Sequence, residues 1–124
     1  MRGERSHETD RLVLAEASGA WAIRSTSQTV YYVDTDSNRL FRRVGPASTP
    51  GLADDRWARL VSVEALFTRD WGVIRVGDRH RYVYDYDPNA DKFGWWIQRL
   101  VTSITRVEAQ RLASLANAPG EGLL

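Results

Sequence analysis

The sequence predicts a mainly β fold: a small antiparallel barrel or strongly bent sheet of six or seven strands, with a short C-terminal helix. Two observations carry this prediction, namely short runs of alternating apolar and polar residues and the Gly, Pro, Asp and Asn clusters between them. At 124 residues and 43% hydrophobic content, the chain has the size and composition of one globular domain. We expect a flexible tail over residues 1–10, a single β-rich domain over residues 11–116 and a second flexible tail over residues 117–124.

The composition excludes several classes of function. Without Cys, the chain forms no disulfide and has no catalytic thiolate and no Cys-ligated zinc. A net charge of +1 is too small to indicate a polyanionic partner, and the excess of Arg over the single Lys is typical of a GC-rich genome. No apolar run reaches the roughly 20 residues that a membrane helix needs, and the charged N-terminal residues are unlike a secretory signal. We therefore expect a cytoplasmic protein.

The first half of the chain predicts a three-stranded meander. Its strands cover residues 21–25, 28–34 and 39–44, and the middle strand is apolar on both faces. The second turn is rich in Asp and Asn, whose short side chains bond the nearby backbone and favour turns.

Two further segments are ambiguous. Residues 11–17 suit either a short helix capped by Asp10 or a first strand. Residues 56–67 are compatible with a helix, but an alternating apolar series favours a strand there. That series consists of Val61, Val63, Ala65 and Phe67.

The second half predicts a β-hairpin. Its strands cover residues 71–76 and 79–86, and Gly77-Asp78 suits a two-residue type II′ turn between them. In this register Val76 faces Arg79, Arg75 faces His80, Val73 faces Tyr82 and Trp71 faces Tyr84, so one face carries a row of aromatic and basic side chains.

After the hairpin, we expect a long turn over residues 87–94 and one strand from Trp95 to about Ile104. This strand is apolar on both faces, with Trp95, Ile97 and Val101 opposite Trp96, Leu100 and Ile104. Thr105-x-x-Glu108 then resembles a helix capping box. The helix would run to about Ala116 and bring Leu112, Leu115 and Ala116 together.

The aromatic row and the two Trp that follow it form the candidate binding surface. Trp, Tyr and Arg are enriched at interface hot spots, although an aromatic row at period 2 is also the pattern of a core face. The candidate residues are Trp71, Arg75, His80, Tyr82, Tyr84, Tyr86, Trp95 and Trp96.

This surface predicts a non-enzymatic module that binds another protein or a second copy of itself. Strands that are apolar on both faces indicate a sheet that is covered twice, by its own helix or by a partner. The alternative function is binding of single-stranded nucleic acid, since the same face offers cations beside aromatic rings. The low net charge argues against that alternative.

The sequence offers a weak metal candidate and no catalytic pattern. Asp85-x-Asp87-x-Asn89-x-Asp91 has the 1, 3, 5, 7 spacing of a calcium loop, but Ala90 and Trp96 replace the turn Gly and the bidentate Glu. We expect no bound metal and no cofactor. His80 has no visible catalytic partner, and the chain has no nucleotide-binding loop or hydrolase motif, so we do not expect an enzyme.

Residues 20–107 carry a resemblance to a known group. The motifs are Trp21-x-Ile23, Tyr31-x-x-Asp34-x-Asp36, the Arg42-Arg43 pair and the segment 101–106. Together they resemble small, uncharacterised β-rich proteins of high-GC Gram-positive bacteria and their phages. Those proteins usually carry Gly in the first tight turn, where this chain has Ser27-Gln28. The resemblance implies a compact β domain in a bacterial or phage setting, and it assigns no site.

Overall fold

The structure is a computed structural model that describes residues 7–46, 49–51, 53–87 and 92–115, with only the backbone of residues 86 and 87. This part of the chain forms eleven strands and one short helix. The elements are β1 (Glu8–Thr9), β2 (Arg11–Val13), β3 (Ala20–Ser25), β4 (Val30–Asp34), β5 (Arg39–Arg43), β6 (Trp57–Ala65), β7 (Asp70–Trp71), β8 (Val73–Arg75), β9 (His80–Asp87), β10 (Lys92–Gln98), β11 (Val101–Val107) and α1 (Ala109–Leu115). The mainly β fold and the C-terminal helix are confirmed.

Nine strands form one antiparallel sheet in the order β1-β11-β3-β4-β5-β6-β9-β10, with β7 paired to β6. Strands β2 and β8 form a separate pair. The large sheet has two free ends, β1 and β10, so the barrel alternative is not supported. The sheet is nevertheless strongly bent. Tyr31 on β4 stacks on Tyr82 on β9 with ring centroids 4.7 Å apart, whereas a flat sheet would separate these strands by about 14 Å.

The meander and the ambiguous strand are confirmed. Strands β3, β4 and β5 pair in sequence, and β6 occupies most of residues 56–67. A β-bulge between Leu60 and Ser62 reverses the alternation within β6, so Leu60 and Val63 are buried while Val61 is exposed. Phe67 lies in the turn after β6 and is also exposed. The alternating series that predicts this strand therefore does not mark one buried face, because Val63 and Ala65 are buried whereas Val61 and Phe67 are exposed.

The described residues before β3 form two short strands. Arg11–Val13 form β2, which selects the strand alternative for this segment. Glu8 and Thr9, predicted to belong to the tail, form β1 and pair with Thr105 and Ile104 of β11. The predicted C-terminal tail lies outside the described residues.

The predicted strand from Trp95 to about Ile104 is in fact two strands. Strand β10 ends at Gln98 and β11 begins at Val101, and the two do not pair with each other. Thr105 belongs to β11 and α1 begins at Ala109, so the predicted capping box is wrong.

Two apolar clusters lie on opposite faces of the sheet. The inner cluster fills the concave side and takes residues from both sheets. Its buried members are Leu12, Trp21, Ile23, Tyr31, Val33, Leu40, Ala53, Leu60, Val63, Ile74, Tyr82, Tyr84, Val101 and Ile104.

The outer cluster lies where α1 packs on β3, β4 and β5. Its buried members are Ala22, Tyr32, Phe41 and Leu115, and Leu112 packs beside them as predicted. The Arg43 side chain donates a hydrogen bond to the Leu115 carbonyl at 2.9 Å, which ties the end of the helix to β5. Helix α1 therefore covers the outer face of these three strands. Within the described residues, no helix has the length and apolarity to span a membrane.

Candidate binding surface

The hairpin predicted around Gly77-Asp78 is not formed. Strand β7 pairs with β6, β8 pairs with β2, and β9 lies between β6 and β10. The predicted facing pairs, such as Val73 with Tyr82 and Trp71 with Tyr84, are therefore wrong. Gly77 does take a left-handed conformation with a φ of 91°, as a turn glycine. Its amide donates to the Val101 carbonyl, so the turn is tied to the start of β11.

The Asp78 side chain explains why this turn does not close a hairpin. Its buried carboxylate accepts hydrogen bonds from the backbone amides of Phe67, Thr68 and Arg79 and from the Thr68 hydroxyl. These bonds join the turn after β6 to the start of β9. Burial alone would raise the pKa of Asp78, but the hydrogen bonds from Phe67, Arg79 and Thr68 outweigh it and lower that pKa.

His80 and Tyr82 are buried, so neither can contact a partner while the chain is folded. His80 Nε2 accepts a hydrogen bond from the Arg75 amide at 3.0 Å. Burial lowers the pKa of His80 to about 4; nearby Asp78 opposes this shift and Arg75 adds to it. The Tyr82 hydroxyl donates to Gln98 Oε1 at 2.6 Å, and Gln98 Nε2 donates to the Ile23 carbonyl at 2.9 Å. Tyr82 and Gln98 are thus hydrogen-bonded inside the core, whereas His80 Nδ1 is buried without a hydrogen-bond partner among the described residues.

Tyr84 and Trp96 also belong to the core. Their rings stack with centroids 3.9 Å apart, and Trp96 meets Tyr31 edge-on at 6.0 Å. Tyr84 also lies over Gly94, since a Cβ at Gly94 would come within 2.5 Å of the Tyr84 hydroxyl oxygen. Gly94 is therefore needed inside β10 to admit this ring, and the prediction that it ends a long turn is wrong.

Of the eight candidate residues, Trp71 and Trp95 are the large apolar side chains that are mostly exposed, each at 61%. Arg75 is partly buried and forms an ion pair with Asp70 at 2.6 Å. The side chain of Tyr86 lies outside the described residues. The predicted row is thus divided between the core and the opposite face of the sheet.

Trp71 and Trp95 lie on the outer face of β7, β6, β9 and β10. Residues directly opposite in an antiparallel pair share a face. One row across the sheet runs through Trp71, Glu64, Arg81 and Ile97. The next rows run through Ser62, Val83 and Trp95, and through Arg59, Asp85 and Phe93.

We name the exposed apolar residues of these rows the outer aromatic surface: Trp71, Phe93, Trp95 and Ile97. Their exposed fractions are 61%, 52%, 61% and 41%, and the bulged Val61 beside them is exposed as well. Glu64 and Arg81 lie between Trp71 and Ile97 in their row, so Trp71 is separated from the three apolar residues of β10. Phe93, Trp95 and Ile97 occupy alternate positions of β10, a strand at the end of the sheet.

Charged residues between these side chains form ion pairs. Arg81 forms an ion pair with Glu64 at 3.2 Å, and Arg59 forms one with Asp85 at 2.8 Å. Glu64 also lies 3.9 Å from Arg69, so three Arg share two carboxylates beside the apolar residues of β10.

The calcium candidate receives no support from the part that is described. Asp85 is held by Arg59, Asn89 and Asp91 lie outside the described residues, and so does the side chain of Asp87. No group of three metal-binding side chains occurs among the residues that are described. In the Asp- and Asn-rich turn between β4 and β5, Asp34 accepts hydrogen bonds from the Asp36 amide and the Ser37 hydroxyl, as the Asx-turn interpretation predicts. Asp36 and Asn38 instead bond to Gly19 and Leu60 in other segments.

The sequence prediction missed Phe93 and Ile97. Ile97 lies on the same predicted strand face as Trp95 but is not among the candidate binding residues. Phe93 continues the same period-2 pattern at the start of β10, in a segment that the sequence predicts as a turn because Asp, Asn, Pro and Gly occur there.

Within the described residues, the fold and this surface define an antiparallel β domain whose sheet has one apolar end without a helix over it. No family model, curated protein or solved structure matches the chain at a significant level.

Proposed function

We propose that this chain is a non-enzymatic accessory protein of bacterial or phage origin, acting in the cytoplasm, that binds another protein through its outer aromatic surface. One observation carries the proposal. Trp71, Phe93, Trp95 and Ile97 are exposed on the half of the outer face that α1 leaves uncovered. Fully burying a large apolar side chain contributes about 1.5–3 kcal/mol, so a partner that covers this surface gains substantial free energy.

The position of β10 supports a protein as the partner. It is the last strand of the large sheet, so one of its edges has no strand partner within the described residues. Such an edge can accept an added strand, whose backbone supplies hydrogen bonds while neighbouring side chains give specificity. The segment from Phe93 to Ile97 has no charge and no Pro, the features that usually protect a free edge.

The charge pattern also favours an apolar partner. Arg81 and Arg59 are engaged by Glu64 and Asp85, which makes them less available to phosphate groups beside the aromatic rings. Binding of single-stranded nucleic acid is the second candidate, because Trp71, Phe93 and Trp95 are exposed rings on which bases could stack. That function would require several phosphate contacts near these rings.

A pull-down with the intact chain, with and without nuclease, distinguishes the two candidates. Our proposal predicts that a protein is retained in equal amount after nuclease treatment. Retention of nuclease-sensitive material alone would support nucleic-acid binding and contradict the proposal. Sedimentation of the purified chain tests the case in which the partner is a second copy. A monomer at all concentrations, with no protein retained in the pull-down, would also contradict the proposal.

A further inference from the structure

A polar cleft of about 210 Å³ lies between the β3–β4 turn and the end of β10. Ile97 is the residue that this cleft shares with the outer aromatic surface. Its walls come from three places in the sequence: residues 25–29, the inward side chains of Tyr31 and Arg42, and residues 97–99. The bend of the sheet brings these segments together. The polar side chains that matter here are Ser25, Ser27, Thr29, Tyr31, Arg42 and Arg99.

The hydroxyl groups of this cleft already use their oxygens as acceptors. Ser25 Oγ accepts from the Ser27 amide at 3.1 Å, and Ser27 Oγ accepts from the Thr29 amide at 3.2 Å. Thr29 Oγ1 in turn accepts from the Gly45 amide at 3.4 Å. A hydroxyl carries one O–H donor besides its lone pairs. Within the described residues these three O–H groups have no acceptor, so they can donate to a ligand in the cleft.

Tyr31 and Arg42 add donors of the same kind. The Tyr31 hydroxyl oxygen accepts from Arg42 Nε at 3.2 Å, which leaves its O–H to donate. Burial raises the pKa of Tyr31 to about 12, while Arg42 opposes the shift, so the hydroxyl keeps its proton at neutral pH. Arg42 Nη1 binds Asp54 Oδ1 at 2.7 Å, and its Nη2 has no partner among the residues described here. The guanidinium is held in place above the Trp96 ring at 5.0 Å.

The cleft carries one unbalanced positive charge. Asp54 pairs with Arg42 at 2.7 Å, and Arg99 is exposed without an ion pair in the described part of the chain. None of the described residues that line the cleft carries a carboxylate. Four hydroxyl donors and two guanidinium groups therefore meet around a small space that offers few acceptors.

We propose that this cleft binds a phosphate group, either free or carried by a small molecule. A phosphate dianion offers acceptors in a tetrahedral arrangement and no donors, which complements a cleft lined by O–H and N–H groups. Guanidinium groups bind such oxyanions in a bidentate manner, and both Arg42 and Arg99 line the cleft. The volume admits one phosphate group and part of the molecule that carries it. This site is independent of the proposed protein-binding function.

Titration of the intact chain with inorganic phosphate at constant ionic strength tests the site. We expect amide chemical-shift changes concentrated at residues 25–29, 42 and 99, together with a rise in the melting temperature. A parallel titration with a nucleoside monophosphate distinguishes the two sources of the ligand. Tighter binding of the ester indicates a phosphate carried by a larger molecule, and equal binding indicates the free anion. Shifts spread over the whole surface, or none with either probe, would overturn the proposal.

Three variants locate the site. Arg99→Gln removes an exposed guanidinium, and Tyr31→Phe removes one O–H donor but keeps the stacked ring. We expect each to weaken phosphate binding about tenfold, as for loss of a charge-assisted hydrogen bond. The matched control is Arg111→Gln, which changes the net charge equally on the exposed side of α1. If Arg111→Gln weakens binding as much as Arg99→Gln, the effect is one of net charge and the proposal is wrong.

Discussion

Two adjacent residues of β10 have opposite environments, since Trp95 lies on the exposed outer face and Trp96 packs on Tyr84 in the core. We expect Trp96→Ala to lower the free energy of unfolding by about 3 kcal/mol, because it leaves a cavity beneath Tyr84 and Arg42. Trp95→Ala should change it by about 0.5 kcal/mol or less. Denaturant unfolding of the two variants measures this difference. Equal losses would mean that the two faces of β10 are assigned incorrectly.

The buried His80 makes stability depend on pH. Its pKa is lowered to about 4 in the folded protein, from about 6.5 in an unfolded chain, so protonation favours unfolding. The stability that neutral His80 contributes is complete above pH ~6.5 and is lost as the pH falls towards 4. The difference between the folded and unfolded pKa values of His80 corresponds to about 3 kcal/mol of unfolding free energy.

Chemical denaturation at a series of pH values checks this prediction. His80→Gln keeps an acceptor for the Arg75 amide and removes the titrating group, so it should flatten the stability profile between pH 4 and 6.5. His7→Gln, on the exposed N-terminal segment, is the control. A slope that survives in His80→Gln and disappears in His7→Gln would contradict the assignment.

At the scale of elements, the Asp78 carboxylate connects segments that local sequence patterns do not relate. It satisfies three backbone amides in two turns. Asp78→Ala would leave these amides unpaired, at roughly 1–3 kcal/mol for each buried donor. We expect a loss of at least about 3 kcal/mol in unfolding free energy and faster hydrogen exchange at Phe67, Thr68 and Arg79. A variant with near-normal stability would show that solvent replaces the carboxylate at no net cost.

The elements also show what the sequence could predict. The meander of β3, β4 and β5 follows from local alternation and from Asp and Asn turn residues, and it is confirmed. The predicted hairpin around Gly77 is wrong because its two strands pair with distant partners, β8 with β2 and β9 with β6, which a local turn signal does not reveal.

Two local features, one in β6 and one in β10, explain why the sequence does not show which side chains of these strands are buried. The bulge at Val61 changes the phase of β6, and nothing in the alternation marks it beforehand. Gly94 has the sequence context of a turn residue, whereas in the structure it makes room for the Tyr84 ring on the neighbouring strand. The sequence therefore identifies Trp71 and Trp95 but not Phe93, because long-range packing decides which aromatic residues are buried and which are exposed.

At the scale of the whole molecule, the outer face of the sheet is covered in one half and open in the other. Helix α1 covers β3, β4 and β5, whereas β6, β9 and β10 have no helix over them within the described residues. The sequence indicated a sheet that is covered twice or meets a partner. Helix α1 covers the outer face of β3, β4 and β5. We propose that a partner covers the outer face of β6, β9 and β10.

The most direct test of this idea is a nuclease-treated pull-down that compares the unmodified chain with a variant lacking the centre of the outer aromatic surface. Phe93→Ser with Trp95→Ser removes two exposed rings from β10, and Phe67→Ser removes an exposed ring from the turn after β6 as a control. We predict that the double variant keeps its melting temperature and loses the protein that the unmodified chain and Phe67→Ser both retain. If the double variant is folded and retains the same protein in the same amount, the outer aromatic surface is not the binding site.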